Sequence, residues 1–140
     1  MILPDVNVLL HAVNAGAAQH KVSHAALRNA YKAGLVAMCW PALLGFLRLS
    51  TRAGIFPRPL SIEQALGVMQ SWLDHPATVM AQPTPQHAAI LAGLLMGAGQ
   101  GGPLVSDVHL AALAIKHRAT VLSFDRDFER FAGVRLQHLS

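Results

Sequence analysis

Short apolar runs alternate with longer segments of helical spacing along the whole chain. The short runs fall at residues 1–4, 35–39, 78–81 and 120–124, and a weaker one lies at 134–136. Apolar runs of this length are typical of buried strands. We therefore predict a strand from each run, with the first strand ending near Asp5 and turning into a helix.

The longer segments predict helices. Between residues 19 and 32, lysines and an arginine lie on one side and apolar residues on the other, and Gly34 ends the helix. The predicted apolar side consists of Val22, Ala25, Ala26, Ala30 and Ala33. A second helix follows Pro41, and it is predicted to carry Leu43, Leu44, Leu47, Arg48 and Arg52.

Four more helices follow after residue 60. Ser61 and Gln64 have the spacing of a capping box and open one helix. Thr84 and Pro85 mark the start of the next, which the glycines of residues 97–102 end. The patterns of residues 107–117 and 125–131 predict the last two helices. Strands that alternate with helices, without hairpin signals, indicate an α/β domain around a mostly parallel sheet.

The length of 140 residues suits one domain with its own core, so we expect a single domain over residues 1–140. Residues 75–106 contain no Asp, Glu, Lys or Arg, but prolines interrupt them and no apolar run is long enough for a membrane span. A helix that is apolar on most faces is either central or covered by a partner chain, which favours a homodimer.

The composition excludes a disordered chain, because 53% of the residues are hydrophobic and only 13% are charged. The lone Cys39 cannot form an internal disulfide, and its apolar neighbours predict a buried thiol in a reducing compartment. Asp5 and Asn7 interrupt the apolar start that a signal peptide requires. We expect a cytoplasmic protein.

The formal charge is +4, and the few acids are unevenly placed. Four of the seven, namely Asp5, Asp107, Asp125 and Asp127, lie after predicted strands or at helix starts. Such positions converge at the carboxyl edge of a parallel sheet. Several carboxylates in one crevice need a counter-charge, and hard oxygen ligands favour Mg²⁺ or Mn²⁺. A basic protein with such a site suits phosphodiester hydrolysis in a nucleic acid.

Each acid also has a purely structural interpretation. Asp125 and Asp107 have positions suited to capping the helices that follow them. Asp127 suits an exposed site in a first helical turn, where the helix dipole favours negative charge. Asp5 is harder to explain in this way, since a carboxylate within an apolar segment is costly to bury unless it is paired or metal-bound.

Three motifs resemble the signatures of PIN-domain ribonucleases. They are Asp5-Val6-Asn7-Val8-Leu9, the segment 104–114 around Asp107, and the segment 122–128 around Asp125. The helix of residues 40–51, with Ile55-Phe56-Pro57 after it, is similar to a subgroup of VapC toxins common in mycobacteria.

The resemblance implies an α/β/α sandwich that cleaves structured RNA with Mg²⁺ or Mn²⁺. It also implies a homodimer that a VapB-type antitoxin neutralises. Asp5, Asp107 and Asp125 would be the metal ligands, and Asp127 would support them. One feature departs from the family pattern, because the glutamate that many PIN domains carry after the second strand has no counterpart in residues 43–48.

Several polar residues are further candidates. Arg48 and Arg52 are four apart, so that on a helix they would share a face and could contact RNA phosphates, although a solvated face explains them equally well. Asn7, Ser106 and Ser123 are candidates for supporting the carboxylates, or for turns and caps. The eight histidines show no zinc-like spacing, and we assign none to a metal.

Two other functional classes compete with the nuclease. One is a degenerate PIN module that binds RNA or a protein without catalysis, which the missing glutamate supports. The other is a phosphatase of the haloacid dehalogenase type, whose opening motif resembles Asp5-Val6-Asn7 but has a second aspartate that is absent here.

Overall fold

A parallel sheet of five strands forms the centre of this computed structural model, which describes residues 1–140. The strands are β1 (Ile2–Pro4), β2 (Val36–Met38), β3 (Thr78–Met80), β4 (Thr120–Ser123) and β5 (Arg135–His138). Their order across the sheet is β3-β2-β1-β4-β5, and every neighbouring pair is parallel. The predicted α/β class and parallel sheet are confirmed.

Six α-helices connect and cover the strands. They are α1 (Val6–Val13), α2 (His20–Ala33), α3 (Trp40–Ser50), α4 (Ile62–Asp74), α5 (His87–Ala98) and α6 (Val105–His117), with short 3₁₀ helices at Gly102–Leu104 and Arg126–Arg130. All three residues of β2 are buried, although successive side chains in a strand point to opposite faces. Both faces of the sheet are therefore covered, as the predicted α/β/α sandwich requires.

The core is built where helices press large side chains against the sheet. Leu3 of β1 and Val121 of β4 are fully buried, and Phe46 of α3 contacts Trp72 of α4 edge to face with ring centroids 4.8 Å apart. Cys39 is buried as predicted. No helix combines the length and apolar character that a membrane crossing needs.

The buried face of helix α2 is shifted from the predicted one, since of the predicted residues only Ala30 is buried and Ala25 and Ala26 are half-buried. Its buried residues are Ser23, Leu27 and Ala30, whereas Val22 is 39% exposed and Ala33 is also exposed. The physical reason is size, because alanines bury little apolar area and the single leucine contributes most to packing. The face of the helix is therefore set by Leu27.

Three predicted helix boundaries are corrected. Helix α3 ends at Ser50 with Thr51 as its C-cap, whose backbone N–H and hydroxyl both donate to the Leu47 carbonyl, so Arg52 lies beyond the helix. Helix α5 begins at His87, after a turn in which the Gln86 N–H donates to Thr84 Oγ1. Helix α6 begins two residues earlier than predicted, behind a 3₁₀ turn, so Asp107 lies in its first turn.

Glycines at two helix ends behave as predicted. Gly34 follows the last residue of α2, and Gly99 follows α5 with φ 72°, a left-handed conformation that glycine adopts without strain. Gly45 has another role, since a Cβ at this position would lie 3.1 Å from Val6 Cγ2. The missing side chain lets α3 approach the start of α1 closely.

The capping box of α4 gives a stability prediction. The Ser61 hydroxyl accepts from the Gln64 N–H at 3.0 Å, and the Gln64 side chain accepts from the Ser61 N–H at 2.9 Å. Ser61→Ala should lower the free energy of unfolding by about 1 kcal/mol. Ser71→Ala, in the exposed interior of the same helix, should be neutral or slightly stabilising because alanine is the better helix former. Urea unfolding of both variants measures this, and equal losses would contradict it.

Candidate metal centre

The crevice between β1 and β4 collects the predicted acids. These strands are neighbours in the sheet. The connection from β1 leads to β2 on one side of β1, and β4 lies on its other side, so the order of the strands reverses here. Ligands of open parallel sheets bind at such a switch point, outside the carboxyl ends of the strands. Asp5 follows β1 directly, and Asp125 lies two residues beyond β4. Helix α6 leads into β4, so its first turn, with Asp107, lies at the same edge.

Asp5 is held by two short hydrogen bonds. Its Oδ1 accepts from the Val6 N–H at 2.7 Å, which caps α1, and its Oδ2 accepts from the Ser123 hydroxyl at 2.7 Å. Burial nevertheless raises the pKa of Asp5, because desolvation outweighs these bonds, and the charge of Asp125 raises it further. The carboxylate is fixed in orientation but electrostatically unfavourable.

Ser123 connects the two strand ends. Its side chain is fully buried, its hydroxyl donates to Asp5, and the same oxygen accepts from the Asp125 N–H at 2.9 Å. The amide of Asn7 is also within 3.4 Å of this oxygen, while Asn7 Oδ1 is buried without a partner. One hydroxyl thus sets the relative position of Asp5 and the loop that carries Asp125.

Three carboxylates form the closest acidic group. Oxygens of Asp107, Asp125 and Asp127 all lie within 4.8 Å of one another. The pKa of Asp107 is raised from 3.8 to about 7, first by burial and then by the charges of Asp125, Asp5 and Asp127. Repulsion therefore keeps the fully ionised group from being stable without a counter-charge.

The donor chemistry of this group fits a divalent cation. It offers only carboxylate oxygens, without histidine or cysteine, which is the preference of hard cations rather than zinc. Asp5 is outside the closest group but charge-coupled to Asp107 and Asp125. Asp127, predicted only as a supporting residue, lies inside it.

The purely structural interpretations hold for Asp125 and Asp127 but not for Asp107. Asp107 is not a cap, because α6 begins at Val105 and has no side-chain cap. Asp125 does cap the 3₁₀ helix after β4, since its Oδ1 accepts from the Asp127 N–H at 2.8 Å, and it belongs to the acidic group as well. The Asp127 side chain is about half exposed, with Arg130 at 3.9 Å, as the first-turn interpretation expected. Capping and clustering coexist here.

A cleft of about 450 Å³ opens beside the acidic group. Asp5, Asp107 and Ser106 line it, and α3 contributes Gly45 and Arg48. The glutamate missing from α3 is thus not replaced by another acid on that helix, and the helix instead presents a cation. Arg52 lies beyond the end of α3, so the predicted shared helix face of the two arginines is wrong, and Arg52 does not line the cleft.

A pair of histidines at this cleft was not predicted from the sequence. His109 lines it, and His109 Nδ1 lies 2.9 Å from Nε2 of His87, at the start of α5. No spacing rule relates residues that are 22 positions apart in different helices. The proximity of His109 to Asp107 in the motif was the one available signal.

Comparison with known proteins gives the family. A PIN-domain family model matches residues 2–134. Ribonuclease VapC37 of Mycobacterium tuberculosis is 48% identical over 136 residues, which cover 96% of this chain and 94% of that protein. Ribonuclease VapC33 of the same organism is 38% identical over 96% of this chain and 95% of that protein.

Solved structures share the fold at low sequence identity. Mycobacterium tuberculosis VapC20, described as a sarcin-ricin loop cleaving toxin, superposes with a TM-score of 0.69 at 17% identity, over 96% of this chain and 99% of that one. The VapBC2 structure from Rickettsia felis gives 0.71 at 17% identity over the whole of both chains. The match to the PIN-domain model and the identity to the VapC relatives set the phosphatase alternative aside: the chain belongs to the PIN-domain family and, within it, to the VapC ribonucleases.

Proposed function

We propose that this protein is a metal-dependent endoribonuclease that hydrolyses RNA phosphodiester bonds and acts as the toxin of a type II toxin–antitoxin system. The observation that carries the proposal is the acidic group at the crevice between β1 and β4, in which the pKa of Asp107 is raised to about 7. The VapC relatives named as ribonucleases support the same activity.

The ion is Mg²⁺ or Mn²⁺ in this proposal, since both prefer the all-oxygen donor set present here. Asp107 and Asp125 would hold it, with Asp5 as the third predicted ligand and Asp127 completing the group. Once bound, such an ion supplies counter-charge to the phosphate and lowers the pKa of a coordinated water.

The chain's own residues position the substrate and the acids. Ser123 and the Val6 N–H fix the rotation of the Asp5 carboxylate, and the Asp127 N–H fixes that of Asp125. Arg48 lines the cleft and can pair with a phosphate of the RNA backbone. Without the four clustered acids, three others (Glu63, Asp74 and Glu129) remain against eleven Lys and Arg, so the rest of the surface attracts a polyanion.

The proposed partners are an RNA substrate, a VapB-type antitoxin and a second copy of this chain, and the proposed location is the cytoplasm. Structures of VapBC complexes among the neighbours support the antitoxin. Helix α5 contains no Asp, Glu, Lys or Arg, and its Met96 is 83% exposed, which supports a surface that the second copy covers. A module that binds without catalysis is less favoured, because the acidic group is intact even though α3 has no glutamate.

Substitution of the acids tests the activity. Asp5→Asn and Asp107→Asn should reduce cleavage of total bacterial RNA to background in the presence of Mg²⁺, because each removes a carboxylate charge from the crevice. Asp74→Asn, at the exposed end of α4, is the matched control and should cleave like the wild type. Gel electrophoresis and mapping of RNA ends measure this. Cleavage retained in Asp5→Asn would reject the site.

The raised pKa of Asp107 predicts how stability depends on pH. Because its folded-state pKa lies above 3.8, the folded protein binds a proton more tightly than the unfolded chain. The stability of the metal-free protein should therefore fall as the pH rises from 3.8 to about 7. Asp107→Asn should flatten that fall and raise the Tm at pH 8.

Addition of Mg²⁺ at pH 8 should raise the Tm of the wild type more than that of Asp107→Asn, since the ion binds the ionised Asp107 carboxylate that the variant lacks. Thermal unfolding with and without Mg²⁺ measures both effects, and Asp74→Asn should follow the wild type. Equal stabilisation of the wild type and Asp107→Asn by Mg²⁺ would contradict a metal bound at Asp107.

Arg48 and Arg52 separate cleft binding from general charge. Arg48→Ala should raise the KM for RNA about tenfold, the cost of one charged hydrogen bond to a phosphate. Arg52→Ala removes the same charge outside the cleft and should have a smaller effect that disappears at high salt. Steady-state cleavage at two salt concentrations measures this. Equal changes of KM in Arg48→Ala and Arg52→Ala at each salt concentration would place Arg48 outside the binding site.

A further inference from the structure

Two histidines outside the acidic group form a hydrogen-bonded pair at the wall of the cleft. His109 is half buried and lines the cleft with Asp107 and Arg48. His87 does not line it, but its Nε2 lies 2.9 Å from His109 Nδ1, with the rings nearly perpendicular at 75°. The nuclease proposed above gives this pair no role.

The pair fixes which nitrogen of His109 is free. Two imidazoles joined by one hydrogen bond are a donor and an acceptor, so at least one of the bonded nitrogens carries no proton. If His87 Nε2–H donates, both rings adopt the Nε2–H form, which is the intrinsically preferred tautomer of neutral histidine. The opposite direction needs the less stable form in both rings. His109 then keeps an Nε2–H donor for the cleft, because its Nδ1 is occupied.

A neutral donor suits this position. Arg48 is the one Lys or Arg among the residues that line the cleft. A second full cation beside Asp107 would compete with a bound metal ion for the carboxylates, whereas a neutral N–H does not. The phosphate and sugar groups of a nucleic acid receive most hydrogen bonds from proteins that bind it, and the phosphate oxygens are the charged acceptors among them.

We propose that His109 is a substrate-binding residue that donates its Nε2–H to a backbone phosphate of RNA in the cleft, and that His87 is a positioning residue that holds His109 in the donating tautomer. The proposal rests on the proposed nuclease function. It assigns part of substrate binding to the helix pair α5 and α6, in addition to Arg48 of α3.

Substitutions that keep or remove one nitrogen test this. A hairpin RNA built around a cleavage site mapped in total RNA serves as the substrate. His109→Ala should lower kcat/KM about tenfold, mainly through KM, whereas His109→Gln, whose amide nitrogen reproduces Nε2, should retain most of it. His87→Ala should lower kcat/KM less than His109→Ala, and His87→Gln should restore it. His24→Ala, on the exposed side of α2, is the control.

A double substitution separates positioning from folding damage. In a His109→Gln background the tautomer no longer matters, so adding His87→Ala should have no further effect on the KM. Fluorescence polarisation of the labelled hairpin measures the Kd of each histidine variant in an Asp107→Asn background, which prevents cleavage. The variants should have the same order by Kd as by KM. Nitrogen-15 chemical shifts of His109 should show Nε2–H in the wild type and a mixture of tautomers in His87→Ala.

The outcomes distinguish this inference from the nuclease itself. Absence of Mg²⁺-dependent cleavage by the wild type would reject the proposed function and this inference with it. Normal cleavage by the wild type with an unchanged KM and Kd in His109→Ala would reject the inference alone. An Nδ1–H tautomer of His109 in the wild type would also reject the inference alone. So would a loss of cleavage in His109→Ala that is accompanied by loss of the Mg²⁺-induced rise in Tm.

Discussion

Repulsion between carboxylates at one edge of the sheet is the interaction on which the functional interpretation depends. Asp107, Asp125 and Asp127 have oxygens within 4.8 Å of one another, and Asp5 is coupled to two of them. Folding buries these carboxylates and brings their charges together at a cost, as the raised pKa of Asp107 shows. A chain with only seven acids that concentrates four of them in this way carries an arrangement that stability alone does not favour.

The fold holds the repelling groups in place through short local bonds. Each end of the crevice uses a backbone N–H to orient a carboxylate, with Val6 serving Asp5 and Asp127 serving Asp125. Ser123 joins the two ends because its one hydroxyl both donates and accepts. This explains why the capping and the metal-binding interpretations of Asp125 are not alternatives: the cap is the means by which the carboxylate is aimed.

The sequence predicted the elements well where one strong local signal was present. The capping box at Ser61, the glycine after α2 and the short apolar strands all appear in the structure. Prediction failed where several weak signals had to be summed or where the outcome depended on tertiary contacts. The alanines of α2 suggested a face that Leu27 overrides, and α3 ends at Ser50, before Arg52.

For the site, topology gave the convergence of Asp5, Asp107 and Asp125, because parallel strands place their carboxyl ends at one edge. It did not give the ranking of Asp127, which depends on the turn that Asp125 caps, nor the contact of His87 with His109 across two helices.

The charge on α3 links these observations. Gly45 brings this helix against Val6, immediately after Asp5, and the next turn of α3 presents Arg48 to the same cleft. A glutamate on this helix would add to the effects of burial and repulsion that already raise the pKa of Asp107, whereas an arginine offers a bidentate partner to phosphate. With three acids at the β4 side and Asp5 opposite, the charge needed for one divalent cation is already present. The helix is then free to contribute to substrate binding, which is the function its position in the cleft favours.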